Sequence, residues 1–301
     1  MNDIIVSFLA KLSKINPHQA KYAKRSLEML DNNETELLSR YISFYDSILT
    51  GVDGSYACYD FLCKEMLREE IIFKKNKAEK YRLSSQNEAN AIVYSNDDYM
   101  KNYMIGLGIS TFLWVNHLMI SRYFKENLPK EMVGNYLEVG TGHGQSFSDA
   151  IRICKFDKYI GYDISEFSLM LTDETVKFMC PGMVNYKLVL GDFTSANVNG
   201  RFDAIICGEV LEHIEDPLLL LKKFCSLANN GAFIYITTAI NSPAVDHIHL
   251  FRNLDEVLSL FYESGLEVES KLVLPQSGAS MEEAIDQKLT LNVAFVLRVK
   301  D

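Results

Sequence analysis

Leu137-Glu138-Val139-Gly140-Thr141-Gly142-His143-Gly144 is the stretch whose reading decides the fold. An apolar strand runs into a turn with glycine at every second position, and a helical pattern over 146–154 follows. Glycines there let the backbone turn sharply and approach a ligand that a side chain would block. Many nucleotide folds use such a turn, so the acid two positions before the first glycine carries the discrimination. A carboxylate facing the turn repels a pyrophosphate and attracts a cationic amino-acid moiety, directly or through water. Glu138 therefore argues for a positively charged ligand and against a dinucleotide.

Working outward, strand-like runs fall at 135–139, 159–162, 187–190, 204–207, 232–237, 266–274 and 289–299, with helical patterns between most of them. Alternation of this kind predicts a parallel sheet wrapped by helices on both faces. No long helix separates the last two runs, so the final strand is expected to enter antiparallel, as an edge strand on a mostly parallel sheet. Acidic residues recur where the strands end. Asp163 closes the second strand, 19 residues beyond Gly144, where a carboxylate is the expected partner of ribose hydroxyls. Asp192 closes the third and can accept from an exocyclic adenine amino group, with Phe193 against the purine. The fourth leads into Gly208-Glu209-Val210-Leu211-Glu212-His213. All lie at the ligand-binding edge of an open α/β sheet.

Before residue 130 the pattern is helical. Ile5, Phe8, Leu9 and Leu12 recur at helical spacing, as do Leu37, Leu38, Tyr41, Ile42 and Tyr45. Further helices are expected at 60–77 and 108–124. Stops or turns are expected at Asn16-Pro17, at Asp31-Asn32-Asn33 and at Gly51-Val52-Asp53-Gly54. The polar segment 84–98 reads as a loop or lid edge. The fold class is thus α/β: a Rossmann-like, mostly parallel seven-stranded sheet with an antiparallel edge strand, preceded by an all-helical N-terminal domain. The expected domains are 1–129 and 130–301.

The 301 residues carry 30 Lys plus Arg against 40 Asp plus Glu, a formal charge of −10. That surplus disfavours binding to phosphate backbones or anionic membranes. The apolar stretch 103–120 holds Gly106, Gly108, Ser110, Thr111, Asn116 and His117, and reads as a buried helix rather than a membrane span. Six cysteines without a CxxC pair read as free thiols of a reducing compartment. The N-terminus lacks the features of a signal peptide. A soluble, cytoplasmic protein is expected.

Four or five ordered motifs over roughly 100 residues carry a family resemblance. The strings LEVGTGHG, YIGYDIS, LGDF, FDAIICGEVLEHIEDP and NNGAFIYITT make 135–301 resemble a class I S-adenosylmethionine-dependent methyltransferase domain. The resemblance implies S-adenosylmethionine as cofactor. It implies that Gly140, Thr141, Gly142 and Gly144 line it beside Glu138, that Asp163 holds the ribose, and that Asp192 reads the adenine with Phe193 beside it, with Ile164 and Glu209 also at the cofactor. Phe112-Leu113-Trp114-Val115-Asn116-His117 looks similar to a helix preceding the glycine turn in some bacterial small-molecule methyltransferases, whose extra helices cover the cofactor and build the substrate pocket. Trp114, Tyr99 and Tyr103 would then wall a pocket near the sulfonium, where aromatic faces attract a cation. Core filling is the competing role for Trp114.

His247 and His249 are candidates for general base or substrate ligand. If 247–249 is extended, both imidazoles share one face. His117 could reach the pocket as a base. No resident metal is assigned. Glu209, Glu212, His213 and a later histidine, His249, nevertheless resemble the metal-ligand set of certain small-RNA and quinone-precursor O-methyltransferases, and two carboxylates with two imidazoles suit a divalent ion. The expected function is methyl transfer to a small-molecule acceptor by in-line attack in a lidded pocket, with no nucleic-acid or membrane partner and a homodimer left open. Two rivals stay open: chemistry on S-adenosylmethionine itself, such as ring closure or aminobutyryl transfer, and a non-catalytic cofactor-binding protein.

Overall fold

The computed structural model describes residues 2–49 and 54–300. The turn expected at 51–54 lies outside them apart from Gly54. The helices of the N-terminal half are α1 (Asp3–Ile15), α2 (Pro17–Leu27), α3 (Asn32–Ile48), α4 (Ser55–Lys75), α5 (Gln86–Ala89), a π turn (Asn90–Tyr94), α6 (Asp97–Leu113) and α7 (Val115–Asn127). Then come β1 (Asn135–Val139), α8 (Gln145–Ile153), β2 (Lys158–Asp163), α9 (Glu166–Met179), β3 (Tyr186–Leu190) and β4 (Phe202–Gly208). A 3₁₀ turn (Leu211–His213), α10 (Pro217–Leu227), β5 (Ala228–Ile240), α11 (Leu254–Ser264), β6 (Leu266–Pro275), α12 (Met281–Asp286) and β7 (Leu291–Val299) complete the chain.

Local chemistry sets several boundaries. The Asn16 amide closes α1 on the Leu12 carbonyl, its side chain accepts from Gln19 N at 3.2 Å, and Pro17 opens α2. Asp31 and Glu34 form a reciprocal capping box at the start of α3. Two expectations are corrected. The helix expected at 108–124 is two helices bent by 81° at Trp114. Trp114 is extended (φ −111°, ψ 124°), and its indole N–H donates to the Tyr59 hydroxyl at 3.0 Å. A tertiary partner there coincides with the break in an otherwise helical pattern. The segment 84–98 is likewise mostly helical, because Ser85 caps α5 and Asn96 caps α6.

The sheet order is β3-β2-β1-β4-β5-β7-β6. β1 to β5 pair in parallel, while β7 is antiparallel to both β5 and β6. The final strand enters antiparallel, as expected, but takes the slot beside β5, leaving β6 at the edge. The chain leaves β1 toward β2 and β3, then crosses to β4 on the other side. That reversal opens a crevice at the carboxyl ends of β1 and β4. This is the seven-stranded, Rossmann-like fold preceded by helices.

One core fills the N-terminal helices, and two flank the sheet. Phe124 and Leu128, at the end of α7, belong to the sheet's core with Tyr136, Phe147 and Tyr235. The helical half is fastened to α8 at its first residue. Gln145 Nε2 donates to the Gly108 carbonyl at 2.8 Å and to the Tyr45 hydroxyl at 3.1 Å. A Cβ on Gly108 would lie 2.2 Å from that hydroxyl, so only glycine lets the helices approach this closely. Among the described residues no single helix is long and apolar enough to cross a membrane. All six cysteines are unpaired thiols.

Candidate active site

The crevice holds a cavity of about 350 Å³ that runs from the glycine turn to the underside of α6 and α7. Gly140, Thr141, Gly142, Asp163, Ile164, Asp192, Phe193 and Glu209 all line it. Gly144 is not among its lining residues. It starts α8 at φ +77°, where an added Cβ would lie 2.7 Å from the Thr172 Cα, so its part is close packing of the turn. Asp163 ties the turn together, accepting from Gly142 N and from Ser165 N, each at 2.9 Å. Burial pushes its carboxyl up, against the pull of those amides. At Asp192 burial also acts upward, but hydrogen bonds from Thr194 and Ser195 outweigh it and hold the carboxylate below its ordinary range. Phe193 meets Tyr162 edge-on at 5.0 Å. Trp114 and Tyr103 wall the cavity; Tyr99 turns away and donates to Glu65 at 2.9 Å. No Lys or Arg lines the cavity among the described residues, whereas Asp149, Asp163, Asp192, Glu209 and Asp246 do. An anionic ligand group would find no cationic side chain in it.

Glu138 departs from its expected place. It does not line the cavity but is buried beneath the turn, receiving the Tyr136 hydroxyl and, at 3.0 Å, the Ser146 hydroxyl. Alternation along β1 puts Glu138 on the same face as Tyr136, and that face is covered by α8. Any influence on a ligand passes through Ser146, which does line the cavity. Burial pushes the Glu138 carboxyl from 4.5 up to about 8. The folded protein therefore keeps a proton that the unfolded chain releases, so stability falls as pH rises through this window, by at most about 5 kcal/mol. The variant Glu138→Gln should match the parent in cofactor-free melting at pH 5 and melt higher at pH 8.5. Equal pH profiles would contradict the buried, proton-holding carboxyl.

The histidines separate into two groups. His117 lines the cavity, its Nδ1 2.9 Å from the Ser110 hydroxyl and its ring 4.8 Å from that of Trp114. Burial lowers it to about 4, as it does His143, so both are neutral near pH 7. His247 lines the cavity and His249 does not. The amides of Ile248 and His249 both bond the Glu212 carbonyl, so 247–249 is not an extended run with its two imidazoles together. His249 instead packs on Phe251 at 4.6 Å, in an outer groove that also holds Arg252 and Glu256. This corrects its expected role at the reacting centre and in the ligand set.

In place of His249, the structure gathers Glu212, His213 and His247, each offering one ligand atom within 4.8 Å of the others. His247 Nδ1 is 2.6 Å from the Ser242 carbonyl, which only accepts, so Nδ1 carries the proton and Nε2 a free lone pair. His213 Nδ1 faces the Asp246 carbonyl at 3.1 Å and the Tyr94 hydroxyl at 3.2 Å. Tyr94 gives its own proton to Asp246 Oδ2 at 3.0 Å, so His213 Nδ1 is likewise the donor to both oxygens it faces. Glu212 Oε2 accepts from Thr238 at 2.7 Å, while Oε1 is buried without a hydrogen-bond partner. Burial and the neighbouring Glu209 charge push Glu212 upward. Glu209 itself holds φ +51°, with its amide on Thr237, and opens onto the cavity. Non-glycine strain of this kind gathers at functional sites. A buried Glu212 oxygen that no donor serves, on a carboxylate grouped with His213 and His247, fits a divalent cation. Sequence reasoning missed Tyr94 and Asp246. The only signal was the adjacency of Asp246 and His247.

A family model for a methyltransferase domain matches residues 115–271. A ubiquinone biosynthesis O-methyltransferase of Xanthomonas campestris is 34% identical over 61 residues, 20% of this chain and 26% of that protein. The mitochondrial ubiquinone biosynthesis O-methyltransferase of Saccharomyces cerevisiae is 26% identical over 181 residues, 50% of this chain and 56% of that protein. The matches thus span about a quarter to just over half of these relatives. Among solved structures, phosphoethanolamine N-methyltransferase 2 of Haemonchus contortus, in complex with S-adenosyl-L-methionine, superposes with a TM-score of 0.52 at 15% identity, over 73% of this chain and 60% of that one. The [4+2]-cyclase SpnF superposes at 0.50 and 11% identity, over 63% and 82%. At such identities the likeness is one of fold.

Proposed function

We infer the reaction from one premise: the chain belongs to the methyltransferase-domain family. The proposed activity is S-adenosylmethionine-dependent transfer of a methyl group to the hydroxyl of an uncharged small molecule. The observation that carries this reading is a cavity shared between the cofactor residues at the strand ends and an apolar roof of helices. S-adenosylmethionine supplies an already activated, electrophilic methyl, so the chain's task is to position and to exclude water. Asp163 and Asp192 are suited to ribose hydroxyls and the adenine amine. Trp114, Tyr103 and Met104 present apolar and aromatic surface to the remainder of the cavity. The helical unit 1–129 is read as lid and specificity element. Among the described residues no cationic side chain lines the cavity, which speaks against phosphorylated acceptors.

Glu212, His213 and His247 would hold a divalent cation, whose chemistry would be to acidify an acceptor hydroxyl and offset its charge. His247 is lowered to about 3, chiefly by burial, which makes it a weak base and favours the ligand role over proton abstraction. His117, neutral and buried, is assigned to the wall of the acceptor pocket.

The test is product analysis. The full chain is incubated with S-adenosylmethionine, Mn²⁺ and a panel of phenols, catechols and aliphatic alcohols, then with matching phosphorylated compounds. Adenosylhomocysteine should form only with a neutral acceptor present. Methylthioadenosine formed from the cofactor alone would overturn methyl transfer in favour of chemistry on the cofactor's own side chain.

A further inference from the structure

The segment between α4 and α6 crosses from the helical half to the loop that follows β5. Tyr81's hydroxyl accepts from Ser242 N at 3.1 Å, and its ring meets that of His247 edge-on at 5.6 Å. Gln86 N donates to Glu215 at 3.1 Å. The crossing ends in the π turn, closed by Ser95 N on the Asn90 carbonyl at 3.0 Å. Val93 is anchored in the helical core, and Tyr94 next to it lines the cavity. Widened turns of this type often mark functional positions, because they re-aim a side chain that a regular helix would point elsewhere.

Tyr94 is a donor and an acceptor at once. Its proton goes to Asp246 Oδ2 at 3.0 Å, and its oxygen stands 3.2 Å from His213 Nδ1. Asp246 Oδ1 faces the Tyr103 hydroxyl at 3.4 Å, so both its oxygens are engaged from the helical half. This arrangement holds the His213 ring by Nδ1 and leaves Nε2 free. Residues bonded to the outer nitrogen of a ligating histidine set ring orientation and basicity, and their loss costs about 10–100-fold in metal affinity.

We propose that Tyr94 is a positioning residue that completes the divalent-cation site from the helical half, acting through Asp246 and His213. The proposal rests on the cation reading given above. The site is then built from both halves of the chain: ligands from the loops after β4 and β5, and their orientation from the π turn.

The experiment measures Mn²⁺ affinity of the full-length protein by electron paramagnetic resonance of free Mn²⁺, for the parent, Tyr94→Phe and Asp246→Asn. S-adenosylmethionine binding is followed by calorimetry and melting is recorded in EDTA. Tyr94→Phe should bind Mn²⁺ about 10-fold or more weakly, with cofactor affinity and EDTA melting close to the parent. Asp246→Asn keeps the side chain's shape and should lose a similar factor. Tyr99→Phe, whose hydroxyl serves Glu65, should match the parent. Parental Mn²⁺ affinity in Tyr94→Phe overturns the proposal and leaves the cation reading standing. Parallel loss of cofactor binding and cooperative melting makes Tyr94 structural and also overturns it. A parent that binds no Mn²⁺ removes the cation reading, and this inference with it.

Discussion

Replacing Gly142 with valine should yield a folded protein that no longer retains S-adenosylmethionine, with affinity down by roughly 100-fold or more in calorimetry. Gly142 holds φ +53°, and a Cβ there would meet only the Met104 sulfur at 3.7 Å. Packing therefore raises no objection, and the cost to the fold is that of left-handed backbone in an L-residue, about 1–2 kcal/mol. The cost to binding is larger. The Gly142 amide donates to Asp163, so a shifted turn also moves the carboxylate assigned to the ribose. The added branches would project where the turn must approach its ligand. Unfolding at room temperature would point to a packing role instead, and parental affinity would sink the site assignment.

Glu212→Gln should have opposite effects with and without metal. In EDTA the parent holds the Glu212 carboxyl buried against that of Glu209. The amide cannot ionise against Glu209 and can donate to an imidazole nitrogen, so the variant should melt at or above the parent. With Mn²⁺ the parent should gain about 2.7 kcal/mol at 100-fold excess over the dissociation constant. The variant should gain almost nothing, and its acceptor-dependent methyl transfer should fall at least about 100-fold. A parent whose melting ignores Mn²⁺ rejects the cation. Collapse of the variant in EDTA makes the carboxylate a structural group.

The legibility of the chain follows the range of the forces involved. Strands at 135–139 and 159–162 were readable because apolar runs and glycine punctuation are local. The strand-end acids were readable because topology alone brings Asp163, Asp192 and Glu209 to one edge. The break at Trp114 was not, since the indole's partner, Tyr59, lies 55 residues away. The sequence marks Glu138 by its place before the glycines, but its direction depends on which face of β1 the helix α8 covers. Nothing local separates His247 from His249; the Ile248 and His249 amides, which share the Glu212 carbonyl, do. Tyr94 and Asp246 are 152 residues apart and meet only in three dimensions.

Gln145 belongs at once to the glycine turn's helix and, through Gly108 and Tyr45, to the helices above it. A roof stapled at that point is tied to the same helix that carries the glycine turn. Borrowing the roof from another enzyme would bring a new wall and, unless the staple came with it, a displaced floor.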